Sequence, residues 1–486
     1  LKGIVPDMAR HKWILLPVLL FVLIHLVLMS YNWYYLLLLP FVLLVGYLAV
    51  YALDKLLLFT LFLVPLSFPL EKIYSNLGFN IQLPTEMMII AIMVVFVLRE
   101  LMESNKDVRL FLHPVSIAVY FYLAWMLVTC VTSTMPLVSF KFFISRVWFI
   151  TVFYFFATRL FRTKRGIRIY FWAYFISFFG IMIWAIGKMW SKGYFDARMA
   201  QYSGVPFFND HTSYGAMVAM VLPFIVCFLF YRKRSFSFRV IHWIILSIVL
   251  LALVLSYTRA AWISVGVACL VWLIIQFRVK LVYLVLLLTI VFGAVYANRE
   301  QIILSMEQNK PDSSMGIEKH LKSAYNIHSD VSNLERINRW KCAWKMFAEK
   351  PFFGWGPGTY MFQYAPFQVV QDKTEISTNR GDVGNAHSEF LGPLAESGFM
   401  GTFTFVLLLI FVFYFAIKRY TQCRVKSATR LLLLGATLGL VTYVTHGFLN
   451  NFLDTDKASA LFWGYIAMIV AIDIYHCPIA DTKSQN

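Results

Sequence analysis

Residues 240–277 read VIHWIILSIVLLALVLSYTRAAWISVGVACLVWLIIQF, two apolar runs separated by Ser256-Tyr-Thr-Arg259. Each run, 240–256 and 260–277, is long enough as a helix to cross a hydrocarbon core of roughly 30 Å. Arg259 is the one formally charged residue in the stretch. An arginine at the edge of a span is costly unless something pairs with it. The same few residues therefore set the fold class and give the first hint of a site.

Working outward, the pattern repeats. Hydrophobic residues make up 60% of the chain and charged residues 14%, with a mean hydropathy of +0.69. That excludes an ordinary soluble domain. Further apolar runs lie near 13–29, 33–52, 56–69, 85–99, 114–131, 147–159, 169–188, 212–231, 281–297, 398–417, 430–449 and 458–475. Because the third and sixth runs are short, the expectation is an all-α polytopic membrane protein of about 12–14 transmembrane helices. The first run leads at once into a second and lacks the small-residue cleavage site of a signal peptide.

Lys and Arg fix the expected orientation. With the N-terminus inside, the short cytoplasmic connections hold 24 of the 43 basic residues and the short outer ones hold 8. The polar segment 298–397 is then one large periplasmic loop with short helices, and both termini are cytoplasmic. The expected organisation is N-terminal spans 1–194, central spans 195–297 with outer arginine motifs, the loop, and C-terminal spans with a short tail over 398–486. The net charge of +18 is mainly an orientation signal, with anionic headgroups as a second cause. Scattered basic clusters argue against nucleic acid. Of the six cysteines, only Cys342 falls in the loop, so no disulfide framework is expected there. Neither CxxC nor HExxH occurs.

Within the loop, Ser332-x-x-Glu335 is a capping box for a helix ending near Glu349, before Pro351. Leu334, Ile337, Trp340, Trp344 and Phe347 would face the bundle. Arg336 and Arg339 share one face, either as a solvated edge or as a phosphate or sugar contact. Gly354, Gly356 and Gly358 allow a tight turn close to a ligand or a helix. Asn385 would cap a short helix with His387 in its first turn, where the helix terminus keeps the imidazole neutral. Glu389 and Glu396 are candidates to orient it.

Three arginines, Arg146, Arg198 and Arg259, occupy outer connections or span ends, against the orientation bias. Guanidinium suits bidentate phosphate binding, and snorkelling to headgroups is the competing account. Asn209, Asp210 and His211 at the mouth of a span would bind sugar hydroxyls or cap the helix. Asp454-Thr-Asp456 has the D-x-D form some glycosyltransferases use for a metal, although Lys457 would equally pair with one aspartate.

Together these pieces resemble the O-antigen ligase and polymerase superfamily. The matching stretches are Arg198 to Pro223, Ser256-x-x-Arg259-x-x-Trp262, Leu334-Glu-Arg336 to Gly358, Asn385-Ala-His387 to Gly401, and His446-Gly-Phe, within roughly 195–475. Two motifs depart from the family form: its Ser-Arg is interrupted as Ser256-Tyr-Thr-Arg259, and its Asn-Pro-Asn is Asn209-Asp-His211.

The resemblance implies a glycosyltransferase of the bacterial inner membrane. It would move a glycan from undecaprenyl pyrophosphate, a substrate carrier rather than a cofactor, to an acceptor on the outer side, inverting and without metal. His387 would be the base, and Arg198 and Arg259, helped by Arg336 or Arg146, would hold the pyrophosphate. Asn209, His211, Arg339 and Glu389 are candidate sugar or acceptor contacts. A ligase would use lipid A-core as acceptor, and a polymerase another carrier-linked repeat unit. A lipid-linked sugar flippase is the competing class, which the large loop argues against.

Overall fold

The computed structural model describes residues 8–31, 38–69, 82–103, 107–192, 200–230, 235–279, 331–369, 384–423 and 427–476, with isolated positions between them. The chain is a multi-pass helical membrane protein. It opens with α1 (Met8–Ser30), α2 (Leu38–Tyr51), α3 (Leu53–Leu63) and α4 (Thr85–Met102). A two-residue antiparallel ribbon, β1 (Phe68–Pro69) with β2 (Gln82–Leu83), pairs Phe68 with Leu83.

Among the described residues, nine helices are long and apolar enough to cross a membrane. They are α5 (Pro114–Val131), α6 (Pro136–Leu160), α7 (Lys164–Lys192), α8 (His211–Leu229), α9 (Phe236–Leu255) and α10 (Arg259–Phe277), and, beyond the amphipathic α11 (Val331–Glu349), α12 (Leu391–Gln422), α13 (Ala428–Gly447) and α14 (Asp456–His476). The expected runs near 13–29, 33–52, 56–69 and 85–99 fold as α1 to α4. The apolar stretches Pro17–Ser30 and Leu38–Tyr51 are too short to count with the nine. The run 281–297 lies largely outside the described residues.

Two boundaries differ from expectation. The presumed outer connection 132–146 ends early, because Pro136 sits at the first turn of α6, where its missing N–H is harmless. Helix α6 then runs on through a π-helical segment, Thr151–Phe156. Arg146 is therefore inside a helix. Likewise α12 begins at Leu391 and bends at Gly398, whose φ of 68° needs glycine.

The core is built by close approach of α8, α13 and α14. Gly435 and Gly439 lie one turn apart on α13. A side chain at Gly439 would come within 2.8 Å of the Met220 carbonyl, and one at Gly435 within 2.9 Å of the Phe224 ring. Small residues at such spacing let membrane helices pack by van der Waals contact, where no hydrophobic drive exists between them. Helix α14 is buried on all sides. Its N-terminus is anchored by Asp456, which accepts hydrogen bonds from Ser67 (2.8 Å) and Thr85 (2.6 Å), while Lys457 lies 3.7 Å from the same carboxylate.

Helix α11 forms where the capping box placed it, but with another face inward. Trp344 is 59% exposed, whereas Glu335, Asn338, Arg339, Cys342, Ala343 and Met346 are buried. The reason is that α11 packs on its own loop, against Tyr360, Tyr364 and Ala395. The side chains of Ser332 and Leu334 lie outside the described residues. The Cys342 thiol donates to the Asn338 side-chain oxygen at 3.7 Å.

Candidate functional site

The site gathers at the end of the bundle where α8, α10 and α14 begin and α13 stops. Asp210 caps α8, accepting from the Ser213 N–H at 2.7 Å and from the Thr212 hydroxyl at 2.8 Å. Tyr257, at φ 49°, turns the chain from α9 into α10. Thr258 then donates to the His211 carbonyl at 2.8 Å. Gly215 makes room, since a side chain there would meet the Thr258 hydroxyl at 2.6 Å. The starts of α8 and α10, carrying His211 and Arg259, are thus fastened together.

Arg336 of α11 joins them from the loop. Its Nε donates to the Leu449 carbonyl at 3.3 Å, just past α13. The charges of Arg259 and Asp210 both reach it. Burial first, then Arg259, pulls its pKa below the ordinary value, while Asp210 works against them. A guanidinium so shifted still stays charged at neutral pH. The charges of Arg336 and Arg259 also reach His211.

His387 completes the cluster, though not from a helix. It sits in an irregular segment at φ 48°, four residues before α12. The Asn385 side chain accepts its backbone N–H at 3.0 Å, and Trp340 donates to its carbonyl at 3.3 Å. The expected short helix capped by Asn385 is absent, so a helix terminus is not what keeps this ring neutral. Burial is the main cause, followed by the Arg339 and Arg336 charges, which together push its pKa down to about 4. The imidazole is neutral at pH 7 and free to take a proton.

His446, at the end of α13, was legible only as part of a loose motif. It is buried, neither ring nitrogen has a hydrogen-bond partner among the described residues, and the ring lies tilted against Phe452 with centroids 5.7 Å apart. The Arg336 and Asp210 charges reach it too.

The remaining sequence candidates go elsewhere. Arg339 is pinned by Glu335 at 2.7 Å, lies 4.7 Å over the Tyr364 ring, and donates to the Asn385 carbonyl at 3.3 Å. It holds the His387 segment in place. Glu389 turns away from His387 and accepts from the Tyr443 hydroxyl (2.5 Å) and the Phe452 (2.8 Å) and Leu453 (3.0 Å) N–H groups. Burial, then the Asp454 charge, raises its pKa. Arg146 pairs with Asp454 at 3.1 Å. Asp454 and Asp456 therefore serve different partners. Arg198 lies outside the described residues. Asn209 and Asp210 line a cavity of about 210 Å³ with Asn385, Asn451, Asp454 and Lys457.

The glycine turn docks on a helix. Gly354, Gly356 and Gly358 all have positive φ, and the Trp355 and Gly356 N–H groups donate to the Ala395 (3.1 Å) and Glu396 (2.7 Å) carbonyls beside the α12 bend. This contact sets the loop over the site.

With this geometry in place, the comparison with known families is informative. Residues 244–406 match the family model described as O-antigen ligase, a stretch that includes Arg259, Arg336 and His387. No curated protein matches the chain closely enough to count as a relative. The match supports an enzyme of O-antigen ligase or polymerase type acting on lipid-linked glycans.

Proposed function

On the premise of an O-antigen ligase domain at residues 244–406, we propose that this protein transfers a glycan from undecaprenyl pyrophosphate to an acceptor, lipid A-core in the ligase reading, at the outer face of the bacterial inner membrane. The acceptor hydroxyl oxygen attacks the anomeric carbon as the bond from that carbon to the pyrophosphate oxygen breaks. Configuration inverts. The hydroxyl proton passes to a ring nitrogen of His387, and the bonding pair leaves with the pyrophosphate. Arg259 and Arg336, with Arg198, neutralise the charge that gathers there. The leaving group needs no acid of its own, and the arginines do the work a metal would otherwise do.

The observation that carries this reading is a histidine whose segment is pinned beside guanidinium groups: Arg339 donates to the Asn385 carbonyl, Trp340 donates to the His387 carbonyl, and the Arg336 charge reaches the ring. A base must be unprotonated at working pH, and a departing pyrophosphate needs fixed positive charge nearby. The test is transfer from a carrier-linked glycan by purified protein in lipid. His387→Ala should abolish turnover while expression and thermal stability stay as in the parent. Parental turnover in a folded His387→Ala protein would remove His387 from the chemistry.

A further inference from the structure

We infer that the cleft around Arg146 is a second binding subsite, built for a neutral pyranose ring of the acceptor glycan. The cleft has a volume of about 150 Å³ and opens to solvent. Arg146 enters it from α6, ten residues below Pro136, roughly 15 Å along the helix from its start. The residue is 4% exposed. One nitrogen, Nη2, meets Asp454, but Nε and Nη1 are buried without a hydrogen-bond partner among the described residues. The Asn451 amide oxygen, on the same cleft wall, is buried and unpartnered as well. Such groups carry an unmet desolvation penalty that a ligand with matching polar atoms relieves.

The charge balance selects the ligand. Glu389, Glu396 and Asp454 line the cleft with Arg146, so carboxylates outnumber the cation. Asp454 already pairs with Arg146, so the cleft offers no net positive charge to hold a phosphate or an acidic sugar. A neutral sugar has hydroxyls that donate to carboxylates and accept from guanidinium at once. Phe142, 4.8 Å from the Arg146 guanidinium, and Phe405 give the apolar wall that the C–H face of a pyranose prefers. Ala386 and Ser388, on either side of His387, also line the cleft. The backbone on both sides of His387 therefore runs along the cleft wall.

That the sugar is the acceptor rests on the proposed transfer reaction; that the cleft binds a neutral sugar does not. The test is saturation-transfer NMR on the full protein in lipid nanodiscs, with glucose, galactose, N-acetylglucosamine and rhamnose at millimolar concentration. At least one sugar should receive saturation. The signal should fall several-fold in Arg146→Lys, which keeps the charge but loses the fork, and in Asn451→Ala, and should persist in Arg259→Ala and His387→Ala. No signal from any sugar, a signal unchanged in both Arg146→Lys and Asn451→Ala, or displacement by inorganic pyrophosphate would overturn the subsite. Sugar binding that follows this pattern in a protein without transfer activity would uphold the subsite and defeat the transfer reading.

Discussion

Two polar regions meet at the loop-bearing end of the bundle, and they are opposite in sign. In one, the Arg336 charge reaches His211, His387 and His446, joined by Arg259 at His211 and by Arg339 at His387, with Asp210 as counter-charge. In the other, Glu389, Glu396 and Asp454 surround Arg146. Arg259, Arg336 and His387 of the first lie within the stretch that matches the ligase family, and Asp210, His211 and His446 lie outside it. The second draws Arg146 and Asp454 from outside that stretch. A leaving pyrophosphate needs the first kind of field, and a polyhydroxyl ring suits the second. The segment 385–389 lines the carboxylate cleft and carries His387, whose ring the Arg336 charge reaches from the cationic side.

The largest expected effect is on the base. His387→Ala should cut turnover by roughly 10²–10⁴-fold, the usual contribution of a positioned general base, measured as glycan transfer at saturating carrier. Next, Arg259→Ala and Arg336→Ala should each weaken carrier affinity about 10–100-fold, as expected for losing a charge-assisted hydrogen bond. Lysine at either site should rescue only in part, because the fork is lost. Unchanged affinity in both alanine variants would dissolve the distinction between the two regions.

A pH profile sharpens the same comparison. Since the His387 pKa is about 4, turnover should be level from neutral pH down to about pH 5 and fall as the ring gains its proton near pH 4. Removing a neighbouring cation with Arg336→Gln makes protonation easier, so the acid limb should move to higher pH. A limb that stays in place would separate Arg336 from His387.

Smaller effects concern the scaffold. Gly354→Ala forces an alanine to φ 68° and against the Glu396 backbone at 2.4 Å; it should lower stability by about 2 kcal/mol or more, read as a drop in melting temperature. Smallest of all, excess chelator should leave turnover within about twofold, since arginine forks can carry the charge that a metal would. A loss restored by Mg²⁺ or Mn²⁺ and mimicked by Asp454→Asn would bring that aspartate into the chemistry.

Much of this was legible from residue types. Apolar runs located the spans, the capping box located α11, and the order of Arg259, Arg336 and His387 pointed to one site. The failures share a cause: what a side chain faces in three dimensions. Ser139, Lys141, Ser145 and Arg146 lower the hydropathy of the first half of α6 and make it look like a connection, although Ser139 and Arg146 are buried. Trp344 reads as an inward residue, yet the buried side of α11 carries an Arg339–Glu335 pair that satisfies itself. His387 is neutral as expected, for the different reason of burial among cations. The partners of Arg146 and Glu389 come from residues near 443–454, hundreds of positions away from the first and more than fifty from the second, which no local pattern reveals.

In the proposed reaction the cationic cluster, and not the carboxylate cleft, holds the pyrophosphate. The most direct measurement is the affinity of the purified protein in lipid nanodiscs for undecaprenyl pyrophosphate, compared between Arg259→Ala and Arg146→Lys. The account predicts a loss of about 10-fold or more in the first and parental affinity in the second. Parental affinity in Arg259→Ala together with a loss in Arg146→Lys would contradict it.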